Sequence, residues 1–226
     1  MNTLSTPEKL LILAHHPDKA RFRIPEIHLK YGLTGALLLE LAVQESIVFE
    51  DNKLFPTGKG THSDPLLAGF YEKIASMKPP RNIRFWIRRL SQHSNHYKWQ
   101  LLNGLEKRRI IRVERMKFLG VIPYKKSTLL NKKIQYDLIR ETRSSAVQQG
   151  EISSQQLAIL GLVDACKMHK IISGERAERK IISRRLKVIS KESPIASGVD
   201  LTIRQVHAAI GGVVAASGAA AAATSH

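Results

Sequence analysis

The chain has 226 residues, 43% of them hydrophobic, enough to bury a core, and its 36 Lys and Arg oppose 19 Asp and Glu for a net charge of +17. With a sequence pI near 10.2 it is suited to polyanions, either nucleic acid or an anionic bilayer face. The single cysteine, Cys166, excludes an internal disulfide and a cysteine-based zinc cluster, and no secretory signal pattern opens the chain, so a reducing, cytoplasmic setting is expected.

The first helix is predicted from Ser5 or Thr6 as N-cap, with Pro7 at its start and Glu8 in its first turn, through LLILA to a break at HPDKARF. A second begins after Pro25 and contains Leu33, Ala36, Leu37, Leu38, Leu41 and Ala42, a set that spreads around the helix and predicts burial on most sides. Gly32 and Gly35 inside it each cost about 1 kcal/mol against Ala, which close packing of another helix would explain. IVFED and LF then alternate across an Asn52-Lys53 turn as a small hairpin, followed by the loop PTGKGTHSD.

Asp64-Pro65 opens a helix to about Met77. In IRFWIRRL, residues Ile83, Trp86, Ile87 and Leu90 share one helical face and Arg84, Arg88 and Arg89 the other. A helix from about Asn95 to Lys107 leads into IIRVERMKFLGVIPY, which has strand character around Gly120. Helical pattern returns over roughly 129–148, 152–171, 175–190 and 201–222, separated by Gly150, Ser173-Gly174 and SPIASG. The fold class is therefore mainly α, with one or two small β-hairpins. The Ala-rich stretch from Ala208 to Ala223 is too short and too weakly apolar to predict a membrane span.

Signatures of catalysis or metal binding are weak throughout. A phosphate loop would need glycine where Lys53 stands and Ser or Thr where Gly60 stands. His15 and His16 point about 100° apart on a helix and do not share a metal ion. Cys166 lacks the base constellation of a catalytic thiol and reads as a small buried hydrophobe. With no paired carboxylates or nucleophile elbow, neither enzymatic activity nor a metal or cofactor is expected.

Charge is the stronger signal. Between Lys107 and Arg143 twelve Lys and Arg face three acids, and between Lys167 and Lys191 nine face two. Two readings follow: a protein lying on an anionic membrane surface, or a basic winged-helix-like nucleic-acid binder built from the 95–107 helix and the segments RIIRVER and KFLGVIPYKK. Aromatic residues are only 6% of the chain and are not interleaved with the basic run, which favours the membrane.

The order of several segments resembles a known family. GLTGALLLELAVQESIVFED is similar to its pattern of glycine, small residue, Leu-x-Glu-Leu-Ala-Leu and short strand. NIRFWIRRLS and LEKRRIIRVER resemble its Trp-Ile helix and the turn into its next strand. QLAILGLVDACKMHKII resembles its Leu-Ala-Leu helix, and VHAAIGGVVAAS its Ala-rich bacterial tails. From about Lys9 to Ala222 the chain resembles Golgi phosphoprotein 3 and its bacterial relatives.

The resemblance implies a single helical-bundle domain spanning 1–226, with amphipathic helices around a hydrophobic core and short flexible ends at about 1–5 and 223–226, in a peripheral membrane protein on the cytoplasmic face. Eukaryotic members bind phosphatidylinositol 4-phosphate on a basic face, insert an apolar hairpin into the bilayer and hold the cytoplasmic tails of membrane enzymes. Pro25, Thr34, Glu151 and Ser154 stand at the eukaryotic phosphate-pocket positions, so those ligands do not carry over. Head-group contact is instead assigned to Arg21, Arg23 and Lys30, and membrane contact to Ile171 and Ile172 in KIISGERAERK, the counterpart of the apolar hairpin. A cationic surface repels basic tails, so enzyme-tail partners would need a local acidic groove.

Overall fold

A computed structural model describes residues 4–59, 62–119, 121–147, 152–191 and 198–223. The extreme ends, Gly60, Thr61, Gly120, Gly150, Glu151 and most of SPIASG lie outside the described residues. Ten helices and two two-stranded antiparallel sheets occur within them: a mainly α fold with two β-hairpins.

Helix α1 (Thr6–Ala14) takes Ser5, one of the two expected N-caps, in a capping box, with Glu8 accepting from the Ser5 backbone N–H at 3.0 Å. Both of its ends are held by distant side chains. The buried Glu40 carboxylate accepts the Thr6 N–H at 2.6 Å, beside the positive helix end, and the Gln135 amide donates to the Ile12 and His15 carbonyls at 2.6 and 2.7 Å.

Helix α2 (Glu26–Val43) is the centre of the molecule and is buried without interruption from Gly32 to Ala42. It packs against α1, α3 (Pro65–Ala75), α4 (Ile83–Ser91), α5 (Ser94–Lys107), α7 (Ser154–Ala165) and α10 (Gly198–Ala223). Its glycines are contact points. A Cβ on Gly32 would lie 2.4 Å from Cys166 Sγ, and one on Gly35 2.1 Å from Ile210 Cδ1, so both glycines serve close helix packing. Burial pushes the Cys166 thiol up to about 12, which leaves it an apolar spacer rather than a nucleophile.

The same device joins α7 to α10. A Cβ on Gly161 would stand 1.7 Å from the His207 ring, whose Nε2–H donates to the Ala158 carbonyl at 3.1 Å. Ile203, Val206, Ile210, Val213 and Val214 complete the buried face of α10. No helix among the described residues is long and apolar enough to cross a membrane.

Helix α4 buries Ile83, Trp86, Ile87 and Leu90, with Asn82 Oδ1 capping Phe85 N–H at 2.8 Å and the arginines of its other face exposed. Asp64 caps α3 in the same way. In the first hairpin, β1 (Ile47–Glu50) and β2 (Lys53–Pro56), the turn is Asp51-Asn52 rather than Asn52-Lys53. Both turn residues have positive φ, 45° and 62°, as a right-twisting two-residue turn demands, and Lys53 pairs with Glu50.

Two further boundaries differ from the sequence reading. Strand β3 (Ile111–Phe118) pairs with β4 (Ile122–Leu129), so residues up to Leu129 are extended where the pattern suggested the start of a helix. Ile111↔Leu129 and Arg112↔Thr128 pairing outweighs local helix propensity there. Helix α6 (Lys132–Val147) starts only after Asn131, whose Oδ1 accepts the Ile134 N–H at 3.1 Å. The expected 152–171 helix divides into α7 and the short α8 (His169–Ile172). At the break Lys167 adopts φ 55° and Met168 N–H closes back on the Val163 carbonyl at 2.8 Å. Helix α9 (Arg176–Lys191) packs on α6, α7 and α8.

Gly35→Ala should lower unfolding stability by about 1–3 kcal/mol through overpacking against Ile210. Gly104→Ala, where an added Cβ meets nothing within 4 Å inside α5, should raise it by about 0.5–1 kcal/mol; urea denaturation of the two variants checks the contrast. A second prediction concerns acid. Burial pushes His207 down to about 4, so between its ordinary value of 6.5 and that value the unfolded chain takes up a proton that the folded chain refuses. Stability contributed at neutral pH is therefore lost as pH falls through this window, by about 2 kcal/mol between pH 7 and 5. Urea midpoints across that range should show a smaller decline in His207→Gln than in the parent.

Candidate functional site

The side chains selected from the sequence for head-group contact stand in different surroundings. Arg23 lies exposed in the α1–α2 connection, where its guanidinium donates to the Leu13 carbonyl at 3.0 Å and partial desolvation there pushes its pKa down. It caps the negative end of α1. Arg21 projects from the same connection into solvent, while its backbone carbonyl accepts the His16 N–H at 2.8 Å. Lys30 sits on α2, half-buried beside Glu26, Ser94, Asn95 and Lys98, in a small cleft lined by neither arginine. The three do not form one pocket.

The pocket positions inferred from eukaryotic relatives fare similarly. Thr34 is fully buried and its hydroxyl donates to the Lys30 carbonyl at 3.1 Å, Pro25 precedes α2, and Ser154 opens α7; Glu151 lies outside the described residues. Ile171 and Ile172, selected from the sequence for membrane contact, lie against the core. Residues 169–172 form α8, Ile172 is 2% exposed and Ile171 is half-buried against the core. Ile172 is used wholly in packing, and Ile171 keeps only part of its apolar surface open to solvent.

Exposed apolar surface gathers instead on the β3–β4 hairpin. Leu119 is 80%, Val121 75% and Ile122 57% exposed, with Met116 and Tyr124 exposed as a cross-strand pair behind them. Strand alternation places Arg115, Lys117 and Lys125 on the opposite face, with Arg115 and Lys125 paired, and all three are exposed. The outer half of this hairpin is thus amphipathic, with an apolar end and a basic side.

The inner half is anchored. Ile111 and Leu129 enter the core, Glu106 accepts the Val113 N–H at 2.7 Å, and Lys125 Nζ lies 5.5 Å from the Trp99 ring on α5. His15 closes the other side: Nδ1 lies 2.8 Å from the His16 carbonyl, and Nε2 lies 3.0 Å from the Ser127 carbonyl and 3.1 Å from Ser127 Oγ. Burial, the largest effect, holds the pKa of the ring below the ordinary value, while the two carbonyls facing its nitrogens oppose that shift. His16 Nδ1 accepts from the Asp18 and Lys19 backbone N–H groups at 3.0 and 3.1 Å. Both histidines are therefore structural, and no cluster of three metal-ligating side chains occurs among the described residues.

In the sequence the apolar end is KFLGVIPY, read there only as strand. An apolar run at the turn of a hairpin, between basic segments, was the available signal.

No curated protein matches the chain. The family pattern of Golgi phosphoprotein 3 (GPP34) matches residues 7–206, a span that holds the central helix, the packing around it and the amphipathic hairpin. With nearly the whole of this fold inside the match, the chain belongs to the Golgi phosphoprotein 3 family.

Proposed function

We propose that this protein acts by binding rather than catalysis, as a peripheral protein docked on the anionic, cytoplasmic face of a membrane through the β3–β4 hairpin. The observation that carries this reading is the exposure of Leu119, Val121 and Ile122 at the end of a rigidly anchored hairpin with a cationic side. Water-exposed apolar side chains at a projecting turn gain free energy on entering the interfacial region, about 1.5–3 kcal/mol for each fully buried Val, Leu or Ile. The strand ladder already pairs most of the hairpin backbone, so shallow entry strands few polar groups. Arg115, Lys117 and Lys125 then face lipid phosphates, each contributing about 1 kcal/mol near an anionic surface.

The same hairpin following α5 also has the outline of a helix and wing, the nucleic-acid arrangement expected from the sequence as the alternative. Its apolar end argues for lipid, because a wing on a phosphate backbone or in a groove gains most from a polar, cationic tip.

Co-sedimentation with phosphatidylcholine vesicles, with and without phosphatidylglycerol, tests the proposal. Binding should require the anionic lipid and weaken with salt, and a Leu119→Ser/Val121→Ser variant should bind at least about tenfold more weakly. Parent-like sedimentation of that variant would remove the hairpin from the mechanism. Absence of vesicle binding together with salt-sensitive binding to duplex DNA would replace lipid with nucleic acid.

A further inference from the structure

Between the β1–β2 hairpin, the start of α4 and the first half of α10 lies a cleft of about 380 Å³. Four polar side chains line it: Asn52 in the hairpin turn, Asn82 at the N-cap of α4, Arg84 in the first turn of that helix and Gln205 on α10. Phe49, Ile83, Ala208 and Ala209 supply its apolar part, with Ile83 and Ala209 buried. No carboxylate lines it among the described residues.

The polar groups of this cleft have hydrogen-bonding capacity to spare. Asn82 Oδ1 accepts the Phe85 N–H at 2.8 Å, which orients the amide and leaves its Nδ2 donor unused. The side-chain amides of Asn52 and Gln205 make no hydrogen bond among the described residues. Arg84 is exposed and forms no ion pair, hydrogen bond or ring contact among them, whereas Arg81 and Arg89 lie over the Phe85 ring at 5.5 and 5.9 Å from its centre.

Packing nevertheless sets where the Arg84 guanidinium lies. It reaches from α4 across to α10 and rests over Gly212, where a Cβ would stand 3.4 Å from Nη2 and meet no other side chain within 4 Å. A glycine inside α10 costs helix stability, and here it seats a charged group that has no counter-ion. Donors thus converge on one concavity from three elements, with a single formal positive charge among them.

We infer that this cleft binds an organic monocarboxylate whose other polar atoms are hydrogen-bond acceptors. The planar guanidinium of Arg84 matches the two oxygens of a carboxylate, and one negative charge balances the lining. The amides of Asn52, Asn82 and Gln205 then donate to carbonyl or hydroxyl oxygens of the same ligand, and Phe49, Ile83 and Ala209 cover its apolar part. The volume falls within the range of small-ligand sites, roughly 300–1,000 Å³, and exceeds what a carboxylate alone fills. The same chemistry is offered by a free hydroxy or keto acid and by the carboxyl end of a peptide. The cleft shares no lining residue with the β3–β4 hairpin and does not depend on that hairpin meeting a membrane.

NMR titration of the full chain with N-acetylalanylalanine, lactate and pyruvate, each against its own carboxamide, is the first test. At least one acid should bind at least about tenfold more tightly than its carboxamide and shift the side-chain amide signals of Asn52, Asn82 and Gln205. Arg84→Gln should abolish that preference; the side chain is exposed and without a polar partner, so the fold should survive. Gly212→Leu keeps the charge but takes the place where the guanidinium rests, and should weaken the acid severalfold. The Leu119→Ser/Val121→Ser variant should bind the acid like the parent, which separates failure of the cleft from failure of the membrane reading.

The relative affinities distinguish the sources. Tighter binding of the blocked dipeptide assigns the carboxyl end of a peptide, and tighter binding of lactate or pyruvate assigns a free acid. The site is overturned if no acid is preferred to its carboxamide below about 10 mM, if binding leaves the three amide signals in place, or if both variants bind like the parent.

Discussion

The contact between α2 and its neighbours at Gly32 and Gly35 is the constraint on which the rest of the molecule depends. Where a side chain would begin, Cys166 Sγ and Ile210 Cδ1 already stand, so α7 and α10 approach the central helix closely. Gly161 repeats the arrangement between α7 and α10, with the neutral His207 ring filling its place. Close approach at these three points lets a single helix be covered on most sides by shells of Leu, Ile and Val at interior density. It also explains a cysteine without chemistry: its sulfur is a packing atom, and desolvation keeps it protonated.

A core of this kind has little room for charge, and the few polar groups inside it are matched to backbone. Glu40 meets the N-terminal turn of α1 and Gln135 its C-terminal carbonyls, so the first helix is clamped by residues 34 and 120 or more positions away. The surplus of cations is pushed to the outer elements, among them α4, the β3–β4 hairpin, α6 and α9. On the β3–β4 hairpin it forms a basic side next to an exposed apolar turn, suited to a bilayer face; on α4 one guanidinium, Arg84, joins three amide side chains in a cleft, suited to a discrete carboxylate.

Pattern and chemistry agreed best where one face met one environment. Helix α4 follows from four apolar residues at helical spacing and an Asn cap, and α1 from its Ser-x-x-Glu start. Agreement failed where a distant partner overrode a local preference. Leu129, expected to start a helix, is extended because β3 lies alongside it, and α7 ends at Ala165 although its apolar pattern runs on. Ile171 and Ile172 looked like an exposed apolar pair because sequence does not show that α8 folds back on the core. Conversely, Leu119, Val121 and Ile122 looked like ordinary strand residues, since alternation is the same whether a strand end is covered or projects.

Length, charge balance, the buried character of the second helix and the order of helices and hairpins were all settled by the sequence alone, because composition and periodicity act locally and need no partner to be read. The family followed from the order of those same segments. Tertiary structure decided which apolar residues face water and which polar side chains share a cavity. Arg21, Arg23 and Lys30 are near in sequence yet held in separate surroundings, whereas Asn52, Arg84 and Gln205 come from different elements and line one cleft. Exposure and side-chain convergence depend on how helices pack around glycines far along the chain, and that is a property of distances in space that no local pattern encodes.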